Sequence, residues 1–107
     1  MHTKLSISIV TYNNIKIINK CLESLISYLP KDINTSIYII DNASTDNTYD
    51  AIERLEKKYK IINIKKMPEN LGYGSAQNTI LGELESDFHL YCNPDIIAKK
   101  KFIEPLY

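Results

Sequence analysis

The sequence predicts an α/β fold, with a doubly wound, mostly parallel sheet. Short β-branched runs alternate with stretches of helical period, so the order reads strand, helix, strand, helix, strand, helix, strand. The run Ile37, Tyr38, Ile39, Ile40 is apolar on both faces, as a strand covered on both sides must be. Polar residues follow the first, second and fourth runs, where a strand hands over to loop. Right-handed crossovers then make a parallel sheet the economical connection, and a doubly wound start gives the strand order 3-2-1-4.

The elements follow in turn. Leu5, Ile7, Ile9 and Val10 make the first strand, which ends at Thr11, Tyr12 and the pair Asn13, Asn14. Either asparagine can cap a helix that carries Ile15, Ile18, Leu22, Leu25, Ile26 and Leu29 at helical spacing and stops at Pro30. The second strand ends on Asp41 and Asn42, and Ser44, Thr45 and Asp46 supply cap candidates for a helix with Ile52, Leu55 and Tyr59 on one side. Residues 61–66 form the third strand. Pro68, Glu69 and Asn70 lead to Gly72 and Gly74, after which Ala76, Ile80, Leu81 and Leu84 mark a third helix. Phe88 to Cys92 is the fourth strand, broken at Pro94.

Composition narrows the function. The 107 residues suit one modest core, so residues 1–107 are expected to form a single domain or a piece of one. Thirteen basic residues balance thirteen acidic ones, which leaves no field to attract nucleic acid or anionic lipid. Lys99, Lys100 and Lys101 read as a solvated face. Cys21 and Cys92 lack metal-ligand spacing and read as small buried hydrophobes in a reducing compartment. With no signal-peptide core and no apolar stretch of membrane-spanning length, a cytoplasmic location is expected, at the inner membrane face for a longer form.

Ligands of open parallel sheets bind beyond the carboxyl ends of the strands. With order 3-2-1-4 the first and fourth strands are neighbours, so Asp41 and Asp95 would line one cleft. The turn "TYNNIK" contains no glycine, which removes the dinucleotide fingerprint and the phosphate loop. A pyrophosphate can instead be held through a divalent cation, Mg or Mn, which needs only one or two protein carboxylates.

The segments "SISIVTYNN", "IYIIDNASTDNT", "ENLGYGSAQNTIL" and "LYCNPDI" resemble, in order, the motifs of glycosyltransferase family 2, inverting enzymes of GT-A fold. The resemblance implies a nucleotide-diphospho-sugar donor, a glycan or lipid-linked acceptor and a divalent cation. It implies that Thr11, Tyr12 and Asp41 hold the donor's base, with Asn13 beside them. A carboxylate at Asp41 can accept from the ring N–H of uracil, thymine or guanine, where cytosine presents an acceptor; alternatively it only orders the turn before Ser44. Asn70, Gly72, Gly74 and Asn78 match the segment lining the donor cleft, though the glycines equally permit a tight loop. Asn93, Pro94 and Asp95 stand where many members carry Asp-x-Asp. This form resembles a rhamnosyltransferase-like subset that keeps the last carboxylate as metal ligand, Asp95, with Asn93 free to bond a sugar or ribose hydroxyl. A Pro-containing turn is the simpler reading of the same residues.

Inverting transfer also needs a base to take the acceptor's proton. In the family that acid lies in the later part of a longer chain, so the resemblance implies a general base beyond Tyr107, and the catalytic residues of this sequence stay unknown. The only carboxylate after Asp95 here is Glu104, in "FIEPLY", a helix end that does not read as the base. The expectation is therefore a truncated, donor-binding half, inefficient at transfer alone, whose exposed fourth-strand edge favours a homo-oligomer. Two other classes compete: a sugar nucleotidyltransferase, for which "TYNNIK" lacks the glycine- and basic-rich loop, and a non-catalytic nucleotide-binding or assembly module. His89, alternating with Phe88 and Leu90, reads as a core or interface residue, with Tyr91 on its face.

Overall fold

The computed structural model describes residues 4–29, 34–79 and 88–92. Seven elements occur in the expected order: β1 (Lys4–Thr11), α1 (Ile18–Tyr28), β2 (Asn34–Asp41), α2 (Thr48–Lys58), β3 (Ile62–Lys66), α3 (Tyr73–Asn78) and β4 (Phe88–Cys92). The sheet has order β3-β2-β1-β4 and every pairing is parallel. The predicted topology is therefore the observed one. In β2 the strand begins three residues before the apolar run, because Lys4 pairs with Asn34 and the ladder continues to Thr11 and Asp41.

Alternation of side chains divides the sheet into two faces. On the first, Leu5, Ile7, Ile9, Ile37, Ile39, Ile62 and Cys92 meet Ile18, Cys21, Leu22 and Leu25 of α1 and Ala51, Ile52 and Leu55 of α2. That layer holds most of the buried apolar side chains and anchors the strands. The second face is smaller, with Val10, Ile40 and Met67 against Ala76 of α3. Besides Val10, its share of β1 is polar, since Ser6 and Ser8 are both buried. Cys21 and Cys92 are buried free thiols, and burial pushes the Cys92 thiol up to about 12, in keeping with the reading of both as small hydrophobes.

The helix starts differ from expectation. Neither Asn13 nor Asn14 caps α1 with its side chain. The Asn14 side chain instead accepts the Tyr12 N–H, and that of Asn13 is committed to the neighbouring loop, so α1 opens through Ile17 and Ile18 N–H groups donating to the Asn14 carbonyl. At α2 the cap residue is Asn47, and Asp46 beside it accepts from both the N–H and the hydroxyl of Thr48. Burial alone would raise the Asp46 pKa, but these bonds together carry it below the ordinary carboxylate value. The predicted continuation of the third helix through Ile80, Leu81 and Leu84 lies outside the described residues. Among the described residues no helix is long and apolar enough to cross a membrane.

Candidate functional site

Parallel pairing in register brings the carboxyl ends of three strands level. Thr11 pairs with Asp41, and Asp41 with Lys66. This crest is bound together by side chains that the two flanking loops direct inward.

Asp41 is its centre, with 1% of its surface exposed. One carboxylate oxygen accepts from the Thr11 hydroxyl at 2.8 Å and from the Ser44 hydroxyl at 2.6 Å; the other accepts from the Ser44 N–H at 3.1 Å. All three partners are donors, and an ionised carboxylate has about four acceptor positions, so room for one more donor remains. The turn-ordering role read from the sequence is thus present, and it does not exhaust the carboxylate.

Asn13 staples the two loops. Its N–H donates to Ser44 Oγ at 3.0 Å, while its Oδ1 accepts from Thr45 N–H at 2.8 Å and Asp46 N–H at 3.3 Å. It does so at φ 52°, in the left-handed region that asparagine tolerates. Across from it Ala43 sits at φ 62°, where an alanine side chain is strained by roughly 1–2 kcal/mol. Ala43 lies between Asn42 and Ser44, whose bonds hold that conformation in place.

Asn42, 2% exposed, reads in the sequence only as a strand-end residue, and the structure gives it a larger part. Its N–H extends the ladder to the Thr11 carbonyl at 2.8 Å. Its side chain accepts the Leu71 N–H at 3.0 Å and donates to Asn70 Oδ1 at 2.9 Å, and Asn70 Oδ1 also accepts the Gly72 N–H at 2.9 Å. The two asparagines therefore bracket the segment entering α3 against the end of β2. Asn42→Ala should destabilise the chain by about 1–3 kcal/mol, the usual effect of leaving such groups unpaired, and free this segment. Chemical denaturation and amide exchange at Leu71 and Gly72 check both effects.

The remaining predicted residues are placed as follows. Thr11 is buried, and Tyr12 projects with 41% of its surface exposed. Gly72 has φ 83°, so a glycine is needed there for the turn into α3. Gly74 has no such need, and a Cβ there would meet nothing within 4 Å among the described residues. Asn78 is exposed at the last turn of α3, roughly 9 Å along the helix from Gly72 at 1.5 Å per residue, and so stands apart from the crest. Asn93 and Asp95 lie outside the described residues, and so do Glu104 and Tyr107, beyond which the general base is expected. Lys66, which the sequence reading passed over, sits at the crest with its ammonium 4.4 Å from the centre of the Tyr49 ring. Burial, and then the carboxylates of Glu53, Glu56 and Asp41, hold the Tyr49 phenol above its ordinary value.

Among the described residues no group of three or more His, Cys, Asp or Glu side chains could hold a metal ion. Asp41 and Asp46, the carboxylates of these loops, are occupied by protein donors. Asp41 thus presents one open acceptor position beside three filled ones.

The glycosyl transferase family 2 profile matches residues 6–107. The chain belongs to that family. Among its relatives, the poly(ribitol-phosphate) beta-glucosyltransferase of Bacillus spizizenii is 30% identical over 94 residues, covering 86% of this chain and 15% of that protein. The dolichyl N-acetyl-alpha-D-glucosaminyl phosphate 3-beta-D-2,3-diacetamido-2,3-dideoxy-beta-D-glucuronosyltransferase of Methanococcus voltae is 47% identical over 62 residues, 57% of this chain and 19% of that protein. This family 2 chain thus spans less than a fifth of each. A crystal structure of Staphylococcus aureus TarS superposes with TM-score 0.74 and 29% identity, over 87% of this chain and 28% of that one. TarS has also been solved with UDP-GlcNAc and with UDP. A Pyrobaculum calidifontis mannosyltransferase holding GDP-Man and Mn2+ shares the fold, with TM-score 0.78 and 23% identity over 89% of this chain and 28% of that one.

Proposed function

We propose that residues 1–107 form the donor-binding part of an inverting glycosyltransferase that takes a sugar from a nucleoside diphosphate, uridine diphosphate foremost, to a glycan or lipid-linked acceptor. The observation that carries this is the crest around Asp41. A buried carboxylate held by three protein donors, with one acceptor position left, can take the ring N–H of uracil and refuses cytosine, whose ring nitrogen is an acceptor. Binding of UDP-GlcNAc by TarS, which is similar over most of this chain, supports uracil as the base.

In this reading Tyr12, exposed beside the buried Thr11, offers its ring to the base, and Asn42 and Asn70 hold the α3 entry so that Gly74 leaves space for the donor. Asp95 would hold the cation, and Asn93 would bond a sugar or ribose hydroxyl. The cation, when bound, supplies positive charge where the diphosphate leaves. The acceptor hydroxyl oxygen forms the new bond to the anomeric carbon as the bond to the diphosphate breaks, and its proton goes to a carboxylate beyond Tyr107. Self-association through the β4 edge belongs to the same proposal, and sedimentation equilibrium showing a monomer would overturn that part.

Calorimetry with UDP, TDP, GDP and CDP, each with and without manganese, tests the site. Uridine diphosphate should bind in the presence of the metal, and cytidine diphosphate at least tenfold more weakly, as a lost or opposed buried hydrogen bond implies. Equal affinity for all four would overturn the role of Asp41 in base recognition.

A further inference from the structure

On the second face of the sheet, away from the crest, four polar side chains from three elements meet. Ser8, fully buried at the centre of the sheet, donates to Gln77 Oε1 on α3 and lies 3.0 Å from His89 Nε2 on β4. Ser6 Oγ lies 2.5 Å from His89 Nδ1. The Tyr91 ring stands edge-on to the imidazole, with centroids 4.6 Å apart at 82°.

A hydroxyl has one proton to give. Ser8 gives its own to Gln77, so towards His89 it can only accept, and Nε2 must carry the hydrogen. In the neutral ring Nδ1 is then bare, and it accepts from Ser6. The whole chain acquires one direction: Ser6 to His89, His89 to Ser8, Ser8 to Gln77. We infer that His89 is a positioning residue that, as its neutral Nε2–H tautomer, ties β4 through Ser8 and Gln77 to α3 and so holds the segment entering the donor cleft.

The tie matters because α3 has only six residues, too few to persist by itself. Its buried apolar contact is Ala76. Gln77 and the Lys65 ammonium, which donates to the Thr79 carbonyl at 3.2 Å, fasten its far end, while Asn42 and Asn70 fasten its beginning. Release of Gln77 therefore loosens a helix whose other end is the Gly72 turn. Protonation of His89 would make Nδ1 a donor and force Ser6 to reverse. Burial also pushes the His89 pKa below its ordinary value of 6.5. Among the described residues the groups facing the ring are Ser6 and Ser8 from β1, Gln77 from α3 and Tyr91 from β4, a set without a carboxylate or an ammonium. Because the folded pKa is the lower one, the contribution of neutral His89 to stability is complete above about pH 6.5 and is lost as pH falls through the folded value.

The test uses the 107-residue chain labelled with 15N. At pH 7.5 the ring-nitrogen shifts of His89 should report the Nε2–H tautomer. Gln77→Ala should speed amide exchange from Ala76 to Thr79 about fivefold, the effect of one ordinary hydrogen bond, and Gln77→Glu, which keeps the acceptor, should restore it. Acidification should act first at the Ser6 end of the chain, so amide exchange in β4 around His89 should quicken before the β1–β2 amides respond, while the Nε2–H bond to Ser8 keeps Gln77 in place. An Nδ1–H tautomer, or unchanged exchange in Gln77→Ala, overturns the inference; Gln77 is only half-buried, so that variant decides even where Ser8→Ala does not fold. The consequence for the cleft rests on the donor-site reading: manganese-dependent UDP affinity should fall about fivefold in Gln77→Ala. Absence of any nucleotide binding by the parent chain would end the donor-site reading and leave the tautomer and exchange results to judge the tie. Unchanged UDP affinity in a Gln77→Ala chain with a loosened α3 would overturn the link from the tie to the cleft.

Discussion

Asp41→Ala is expected to destabilise the chain by about 2–4 kcal/mol and to abolish measurable binding of uridine diphosphate. The stability loss follows from what the carboxylate leaves behind. The Thr11 hydroxyl, in a fully buried residue, and the Ser44 N–H and hydroxyl all lose their acceptor at once. Unpaired buried donors are worth more as a penalty than formed hydrogen bonds are as a gain. The turn also holds Ala43 at φ 62°, and with Ser44 released nothing on that side opposes its return to an ordinary conformation. Asp41→Asn separates the two effects. Its amide oxygen can still serve Thr11 and Ser44 Oγ, but its NH2 would then face the Ser44 N–H, so a smaller loss of about 1–2 kcal/mol is expected. Its NH2 group matches cytosine better than uracil, so the base preference should narrow or reverse. Urea denaturation and calorimetry on both variants supply the readings; an Asp41→Ala chain that binds UDP as the parent does would remove Asp41 from base recognition.

The second large effect is expected at Asp95. Asp95→Ala should weaken manganese-supported UDP binding by at least about 100-fold, since even the loss of groups that merely orient a metal ligand costs 10- to 100-fold. Binding without manganese should be unaffected. A further reason for placing the cation there is that Asp41 and Asp46 already accept from protein donors, and the one position left on Asp41 is given to the base in this reading. Asn93→Asp is the companion variant. A second carboxylate two residues before Asp95 should strengthen metal binding, and affinity that stays flat in both variants would place the cation elsewhere.

The strands were legible because isoleucine-rich runs of five to eight residues have few other uses, and the order 3-2-1-4 because right-handed crossovers leave little choice. Asp41 was legible from its place at a strand end. The caps were not: asparagine caps a helix, bridges loops or accepts local backbone N–H groups with similar ease, and Asn13 and Asn14 took the second and third options. Asn42 was hidden by the same versatility, since its partners Asn70 and Leu71 are 28 and 29 residues away. Ser6 and Ser8 read simply as gaps between isoleucines. Their meaning depends on His89 and Gln77, which arrive beside them only once the sheet has formed. Local sequence shows which residues prefer a strand; it does not show which distant side chain will complete a buried hydroxyl.

The position of β1 between β2 and β4 has a consequence for the order of folding. Its pairing with β2 closes about thirty residues of chain, whereas the hydrogen bond from Ser6 to His89 spans 83. During synthesis the β1–β2 unit and the layer beneath it can assemble while the outer edge of β1 stays open, because its partner has not yet been made. The hydroxyls of Ser6 and Ser8 on that strand therefore gain their partners His89 and Gln77 last.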